Sequence, residues 1–394
     1  MKISKEDPII IIGSGIAGVS AALALRYAGF SNITLYEKNA DITVPEVPVS
    51  CGPNLLLSLR ELNLTPLLQQ SSVPWQQMNI RTKDNKIVKD FDFSKIVNDS
   101  GYKPFSISLT ELYQVFREKL PDEMFVCGEE FISFTQNEKE VEAHFASGKS
   151  VKGALLMGAD GFRSRVRLQL KGDSEVRSLQ TVSLGCLVAK SAFSQPDHEI
   201  FTQPCLTFVS RDGKICVRPV NENQIGISIT LPGSAETLSL EKAREVITAT
   251  FGEWAEPLAE AAKLAADSPL FMWEQKDREP DSGWFVDRVL LLGDAVHPSF
   301  SFMGMGVDMV VESNLLLAKL LGENLRRAER GFKAWEKQRK KRTRLFNKFA
   351  YRNAKMFSID GAVAATLRDM TYEYLPDIYT ENPLYEIMNG SYLS

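Results

Sequence analysis

Histidine is scarce in this 394-residue chain, with only three copies. The five cysteines, Cys51, Cys127, Cys186, Cys205 and Cys216, are odd in number and scattered, with no C-x-x-C pair. Zinc sites and disulfide scaffolds both need denser arrangements. The expectation is therefore a cytoplasmic protein with reduced thiols and no bound metal. No apolar run reaches the roughly 18 residues that suggest a bilayer-spanning helix. Lys2, Lys5, Glu6 and Asp7 precede only a short apolar stretch, unlike a secretory leader. Positive charge is not in excess either: the net charge of −4 gives no global electrostatic case for nucleic acid or an anionic membrane as partner. What is present, 44% hydrophobic and 24% charged residues, is the composition of a globular protein. Its length allows two or three structural units and at least one substantial core.

Pro8-Ile9-Ile10-Ile11-Ile12 is the pattern of a strand buried on both faces of a parallel sheet. It runs into Gly13-Ser14-Gly15-Ile16-Ala17-Gly18, and an alanine- and leucine-rich helical stretch follows to Ala28, closed by Gly29. Gly13 suits the tight turn, Gly15 lets backbone approach a pyrophosphate, and Gly18 lets helix and strand pack closely. The helix N-terminus, Ile16 and Ala17 included, would then present free N–H groups to phosphate. Ile33-Thr34-Leu35-Tyr36-Glu37 reads as the second strand, ending in an acid placed to accept hydrogen bonds from an adenosine ribose. Lys38 stands next to that acid as a further cofactor candidate, although Lys38 and Asp41 alone read as solvated loop residues.

Two later segments repeat the theme of an apolar strand ending in an aspartate. Ala154 to Met157 leads into Gly158-Ala159-Asp160-Gly161 and a basic turn with Arg163, Arg165 and Arg167. Asp160 is a candidate to orient backbone or a basic partner, and an arginine, Arg167 among them, to meet phosphate. Alone, the same segment would read as an Asp-Gly turn with solvated arginines. Leu290-Leu291-Leu292-Gly293-Asp294 puts a carboxylate at the carboxyl end of a strand, where open α/β sheets bind ligands and where it can bond ribityl or ribose hydroxyls. Pro298 and Gly304-Met305-Gly306 follow, and then a long apolar-periodic helix from Val307 whose N-terminus offers N–H groups to an electron-rich ring edge. His297, beside that proline, reads as structural rather than catalytic.

Taken together, these segments resemble the class A flavin-dependent monooxygenases, the p-hydroxybenzoate hydroxylase family. The likeness rests on the GxGxxG at 13–18, on Asp160-Gly161 with Ser164 and Arg167, and on Gly293-Asp294 with His297-Pro298 and Gly304-x-Gly306. It implies an α/β fold: a Rossmann-type FAD-binding domain with an inserted mixed or antiparallel β-sheet substrate domain and C-terminal helices. Residues 1–75, 100–175 and 276–325 would form the first domain, 76–99 and 176–275 the second, and 326–394 the helices. Alternation in Leu206 to Val209 and Gln224 to Ile229, with turns such as Asp212-Gly213, agrees with hairpins in the second. The resemblance further implies that transiently bound NADH or NADPH reduces FAD, that reduced flavin adds dioxygen at C4a, and that the hydroperoxide transfers oxygen to a small or polycyclic aromatic or heteroaromatic substrate. Glycines at 304 and 306 would keep side chains off the flavin. The basic run from Arg326 to Lys348, interrupted by Phe332, Trp335, Phe346 and Phe349, reads as an amphipathic helix with a solvated basic face.

Departures from the family pattern bear on the activity. Leu109 stands where an arginine usually contacts flavin, and residues 41–59 lack a second expected arginine. Ser301, Asp308 and Ser313 replace a frequent proline, asparagine and aspartate, and an Asp308 carboxylate beside the flavin would oppose formation of the reduced anion. Two alternatives stay open at this stage: a flavoprotein that oxidises, reduces or isomerises without inserting oxygen, and a flavin-poor binding protein. The residues do not fix the substrate, the catalytic base or the oligomeric state. Phe208, Arg218, Met272 and Phe300 read individually as core or surface rather than ligand contacts.

Overall fold

The computed structural model describes residues 1–202, 206–210, 213–234, 236–301, 304–357 and 384–389. Its first sheet has six strands, in the spatial order Phe285–Val286, Val289–Leu291, Leu155–Gly158, Ile9–Ile12, Ile33–Glu37, Phe125–Cys127. All pair in parallel except the hairpin at the 285–286 edge. Ile9–Ile12 lies inside, paired on both sides, and each of its four residues is buried. Successive strand residues point to opposite faces, so an unbroken apolar run needs cover on both. Helix Ile16–Tyr27 covers one, with Gly18 against the Ile11 side chain. A three-stranded antiparallel sheet, Phe131–Gln136, Val141–Phe145 and Ser150–Gly153, covers the other, with Gly153 against Ile10. The sequence reading does not anticipate that smaller sheet.

Seven strands form the second large sheet, in the order Phe271–Asp277, Arg177–Ala189, Gln224–Pro232, Lys214–Pro219, Leu206–Val209, Gln77–Thr82, Ile87–Asp92. Pairing is antiparallel throughout except between 206–209 and 77–82. Of the expected Asp212-Gly213 turn, Asp212 lies outside the described residues. The two faces differ in chemistry because the strands alternate. Val182, Leu184, Ile227 and Ile229 join helices Leu240–Phe251 and Leu258–Asp267 in one aliphatic core. Ser183, Ser228 and Thr230 turn to the opposite side, toward the first sheet's ligand end. Between the two halves sits a short antiparallel sheet of Pro48–Cys51, Phe105–Ser108 and Val73–Pro74. A Cβ at Gly226 would come within 2.3 Å of the Pro48 Cβ, and one at Gly185 within 2.8 Å of Val47, so the two units touch through bare backbone.

Helix Ala328–Phe357 closes the molecule, and a short helix over residues 384–389 is bonded to it through Arg342. Of the C-terminal helices expected over 326–394, residues 358–383 and 390–394 lie outside the described set. Phe332, Trp335, Phe346 and Phe349 are buried, as the amphipathic reading requires. One arginine of the basic run, Arg339, is buried too, at 1% exposure. Its guanidinium donates to Glu312 (2.8 Å) and to the Ser313 hydroxyl (2.9 Å), and Arg342 donates to Glu312 through two nitrogens at 2.7 and 2.9 Å. Burial opposes ionisation of Glu312, but Arg342 and Arg339 outweigh it and hold the carboxyl below its usual value. Among the described residues no helix is long and apolar enough to cross a membrane.

Removing this carboxylate would strand two guanidinium groups, one of them fully enclosed. Breaking a buried pair from one side costs about 3–5 kcal/mol, so Glu312→Ala should lower the thermal midpoint markedly. Differential scanning calorimetry checks it; a midpoint within a degree or so of wild type would remove the network from its structural role.

Candidate active site

The segments at 13–18 and 293–306 meet. Gly13 has φ +100° and lies so close to the 155–158 strand that a Cβ there would fall 2.5 Å from the Ala159 oxygen. A Cβ on Gly18 would overlap the Gly13 carbonyl oxygen at 1.9 Å. Gly15 is different: its Cβ direction is open space, with nothing within 4 Å. The turn is fixed from outside by the Tyr113 hydroxyl, which donates to the Ser14 carbonyl (3.0 Å), and by Glu37, whose carboxylate accepts the Ser14 N–H at 3.1 Å. The buried Ser14 hydroxyl has no partner. Open room beside Gly15, an unspent hydroxyl and the free amides of a helix start are the elements of a phosphate cradle.

Gly293 adopts φ +56°, and a Cβ there would meet the Ala17 Cβ at 2.7 Å. Asn314, at the middle of helix Gly306–Glu323, donates to the Ala17 carbonyl (2.9 Å) and the Ser20 hydroxyl (2.8 Å). These contacts bring Asp294 beside the first turn. Its carboxylate is open to an internal cavity, yet protein surrounds that cavity, and this partial desolvation raises its pKa to about 6. The cavity, of about 550 Å³, is lined by Gly15, Ile16 and Ala17, by Asp294, and by Gly304, Met305 and Gly306. Its size falls within the usual range of small-molecule sites, roughly 300–1,000 Å³.

Other expected site residues stand outside this lining. Gly13, Gly18 and Gly293 shape the backbone behind it. Lys38 is exposed on the surface. Asp160 accepts the amides of Arg165 (2.8 Å) and Val166 (3.2 Å), capping helix Arg165–Lys171, and its neighbours Ala159 and Gly161 line the cavity instead. Arg167 is buried and donates to the Ala295 carbonyl (3.2 Å), Ser174 (2.9 Å) and Asp281 (3.3 Å), so it holds the Gly293-Asp294 turn from behind. The Pro298 carbonyl accepts from Asn347 at 2.7 Å, tying the segment to the long helix. Gly304, at φ +70°, is crowded by Ser50 at 3.0 Å, which is a reason for glycine separate from flavin clearance; a Cβ at Gly306 would meet only the Ser299 hydroxyl, at an ordinary contact distance of 3.9 Å.

Leu109, in the position of the missing arginine, lines the cavity. Asp308 does not: it is buried, and its Oδ1 accepts the Gly52 amide at 2.7 Å. Burial first, and then the charge of Glu312, push its carboxyl well above the usual range. Its carboxyl thus faces the Gly52 amide rather than the cavity wall, where the sequence expectation placed it. His297 is enclosed beside the Trp284 ring (5.4 Å between centroids), and burial lowers its pKa to about 3. A neutral ring at 3.4 Å from the Ser313 hydroxyl suits packing rather than proton transfer.

The far wall comes from the seven-stranded sheet, and here Arg218, read from sequence as core or surface, faces the cavity. It donates to the Ser50 and Ser228 hydroxyls. Gln275 joins Ser183 (2.6 Å) and Ser301 in a hydrogen-bonded cluster, and the Ser301 amide donates back to Gln275 at 3.0 Å. The serine at 301 thus connects the segment after Pro298 to the sheet. Phe208, Met272 and Phe300 do belong to hydrophobic clusters. A period-two alternation of serine, threonine and aliphatic residues over 182–186 and 225–231 was the available signal for the polar face.

Comparison with known proteins agrees with this geometry. A 6-hydroxynicotinate 3-monooxygenase of Pseudomonas fluorescens is 25% identical over 89% of this chain and 92% of its own length. An aurachin C monooxygenase/isomerase of Stigmatella aurantiaca is 26% identical over 79% of this chain and 80% of its own. The crystal structure of Klebsiella pneumoniae HpxO complexed with FAD and uric acid superposes with a TM-score of 0.86 across 98% of both chains, at 22% identity, which establishes a common fold. Residues 6–350 match the family described as FAD binding domain, and the protein accordingly belongs to that family, as an FAD-dependent oxidoreductase.

Proposed function

We propose that this protein is an NAD(P)H-consuming monooxygenase that hydroxylates an aromatic or heteroaromatic small molecule. One observation carries the reading: a single cavity joins the phosphate cradle at Gly15, the Asp294 carboxylate and the polar face of the seven-stranded sheet. The balance is one dioxygen and one NAD(P)H with a proton, giving hydroxylated product, water and NAD(P)+. Bound FAD supplies the redox chemistry, taking a hydride from NAD(P)H and activating dioxygen. The chain supplies position and exclusion of water.

Backbone at Gly15, Ile16 and Ala17 would receive the pyrophosphate, with Gly13 and Gly18 shaping the turn behind them, and Glu37 would face the adenosine end, with Lys38 exposed beside it. Asp294 would accept ribityl hydroxyls, while Gly304, Met305 and Gly306 offer backbone to the ring. Asp160, Arg167, Gly293 and Pro298 act behind these contacts as positioning residues. NAD(P)H has no second glycine fingerprint to hold it, which suits transient binding. The scattered cysteine spacing of the sequence is the support for cytoplasmic residence. An oxygen-free flavoprotein reaction is the competing reading. Incubation with NAD(P)H, 18O2 and a hydroxynicotinate or other hydroxylated aromatic panel separates the two. Product carrying one labelled atom is expected; flavin turnover with unlabelled product would favour the competitor.

Two outcomes follow from Asp294. Loss of a charged hydrogen-bond acceptor costs about 1.5–3 kcal/mol, so Asp294→Ala should weaken FAD binding by roughly tenfold or more. Fluorescence titration of apoprotein checks this, and unchanged affinity would displace the carboxylate from the site. Because hydroxyl donors favour the ionised form, FAD affinity should fall as pH drops through about 6, by up to about tenfold per unit. Asp294→Asn should flatten that profile.

A further inference from the structure

One fixed donor sets hydrogen-bond direction along the 271–277 edge of the seven-stranded sheet. A backbone N–H only donates, so the Gln275 atom that meets the Ser301 amide at 3.0 Å is the side-chain oxygen. That fixes which way round the Gln275 amide lies. Its nitrogen then faces two hydroxyls, donating to Ser183 at 2.6 Å and to Ser301. Both amide hydrogens are spent in this way, and both serine oxygens act as acceptors.

Ser301 receives a second donor, the Trp273 indole N–H at 3.3 Å, which fills the lone pairs of its oxygen. Its own hydrogen has no acceptor among the described residues. Ser183 shares one hydrogen bond with the Thr230 hydroxyl at 3.1 Å, and whichever of the two donates, the other's hydrogen is left over. Gln275, Ser183, Thr230 and Ser301 all line the cavity, with Gln275 and Ser183 only 2% and 4% exposed and Ser301 at the mouth. Because both serine oxygens bond one nitrogen, they lie no more than about 5 Å apart. This end of the wall therefore presents two closely spaced O–H donors.

The opposite edge of the sheet is different. Trp75, Ile80, Phe91, Phe93, Leu384 and Met388 form an apolar chamber there and belong to a hydrophobic cluster separate from the cores of the two large sheets. Its polar hydrogen, on the Trp75 indole, is taken by Ser106 at 3.1 Å. The Gln275 end, by contrast, can tell an acceptor from a donor, and it does so three residues before Gly304, where the flavin-side lining resumes.

We propose that Ser301 and the Ser183–Thr230 pair determine specificity by receiving an acceptor edge of the substrate, a ring carbonyl with or without an adjacent ring nitrogen, and that Gln275 is the positioning residue that sets their polarity. The substrate class is an oxo-heteroaromatic rather than its amino counterpart. An amino group in the same place would set hydrogens against hydroxyl hydrogens, and a site whose polar groups are left unpaired rejects the wrong ligand. This deepens the monooxygenase reading and rests on it for the reaction, though not for binding.

The test is calorimetric titration of FAD-loaded protein with neutral ring pairs in mildly alkaline buffer: 4-quinazolinone against 4-aminoquinazoline, 2-quinoxalinone against 2-aminoquinoxaline, and 2-pyrimidinone against 2-aminopyrimidine. In at least one pair the oxo member should bind about tenfold or more tighter. Gln275→Glu puts an acceptor oxygen where the amide nitrogen stood, so both serine hydrogens turn toward it and the oxo preference should vanish or invert. Ser301→Ala should lower oxo affinity several-fold and leave the amino member nearly unchanged, while Ser301→Thr, which keeps the hydroxyl, should retain the wild-type ratio. A scaffold role alone would weaken both members equally. Equal affinity within every pair, no measurable binding by any oxo member, or an unchanged ratio in both Gln275→Glu and Ser301→Ala would overturn the proposal. Flavin content and labelled-oxygen incorporation are read separately: oxo preference without labelled product would overturn the reaction and keep the binding mode, and labelled product without the preference would do the reverse.

Discussion

Bare contact between Gly293 and Ala17 is the constraint on which the remaining geometry depends. Two helix-bearing segments from distant parts of the chain can share one ligand only if their turns touch, and any side chain at 293 would hold them apart. Glycine also supplies the positive φ that redirects the 289–291 strand into the turn. Asn314 reinforces the closure by bonding the Ala17 carbonyl across 297 residues of sequence. Arg167 braces the same turn from behind through the Ala295 carbonyl. Without this closure the cradle at Gly15 and the carboxylate at Asp294 would be separate features.

Around the closure, buried polar groups decide orientation rather than chemistry. Glu312 draws together Asn54, Arg339 and Arg342, and so connects the 53–59 helix, the flavin-side helix and the C-terminal helix. Arg342 continues to the final short helix over the apolar chamber. One buried carboxylate thus sets three elements that line or back the cavity. Such networks add little net stability when complete, but an incomplete one is costly. That cost fixes their relative placement.

Much of the first unit was legible because its signals are local. An unbroken isoleucine strand, a glycine turn and an alanine-rich helix each follow from backbone sterics and burial within a few residues. Asp294 at a strand end was legible for the same reason. Arg218 was not, because its meaning lies in which face of a sheet it occupies, and a one-residue change of register would have turned it away from the cavity. Asp308 misled for a related reason: its helix begins at the ligand, but its side chain points to the Gly52 amide, where burial favours the neutral acid.

By itself, the sequence determined the α/β class, the glycine cradle with Glu37, and the strand-end carboxylate of Asp294, since these depend on local conformation and residue order. Tertiary structure alone decided that Arg167 braces the 293–295 turn, that Asp160 caps a helix, and that Arg218, Ser183 and Gln275 share one wall. Only folding brought residues 75–93 and 384–389 to the same chamber. The physical reason is that hydrogen bonding and burial act between side chains brought together in space, while the sequence specifies neighbours along the chain.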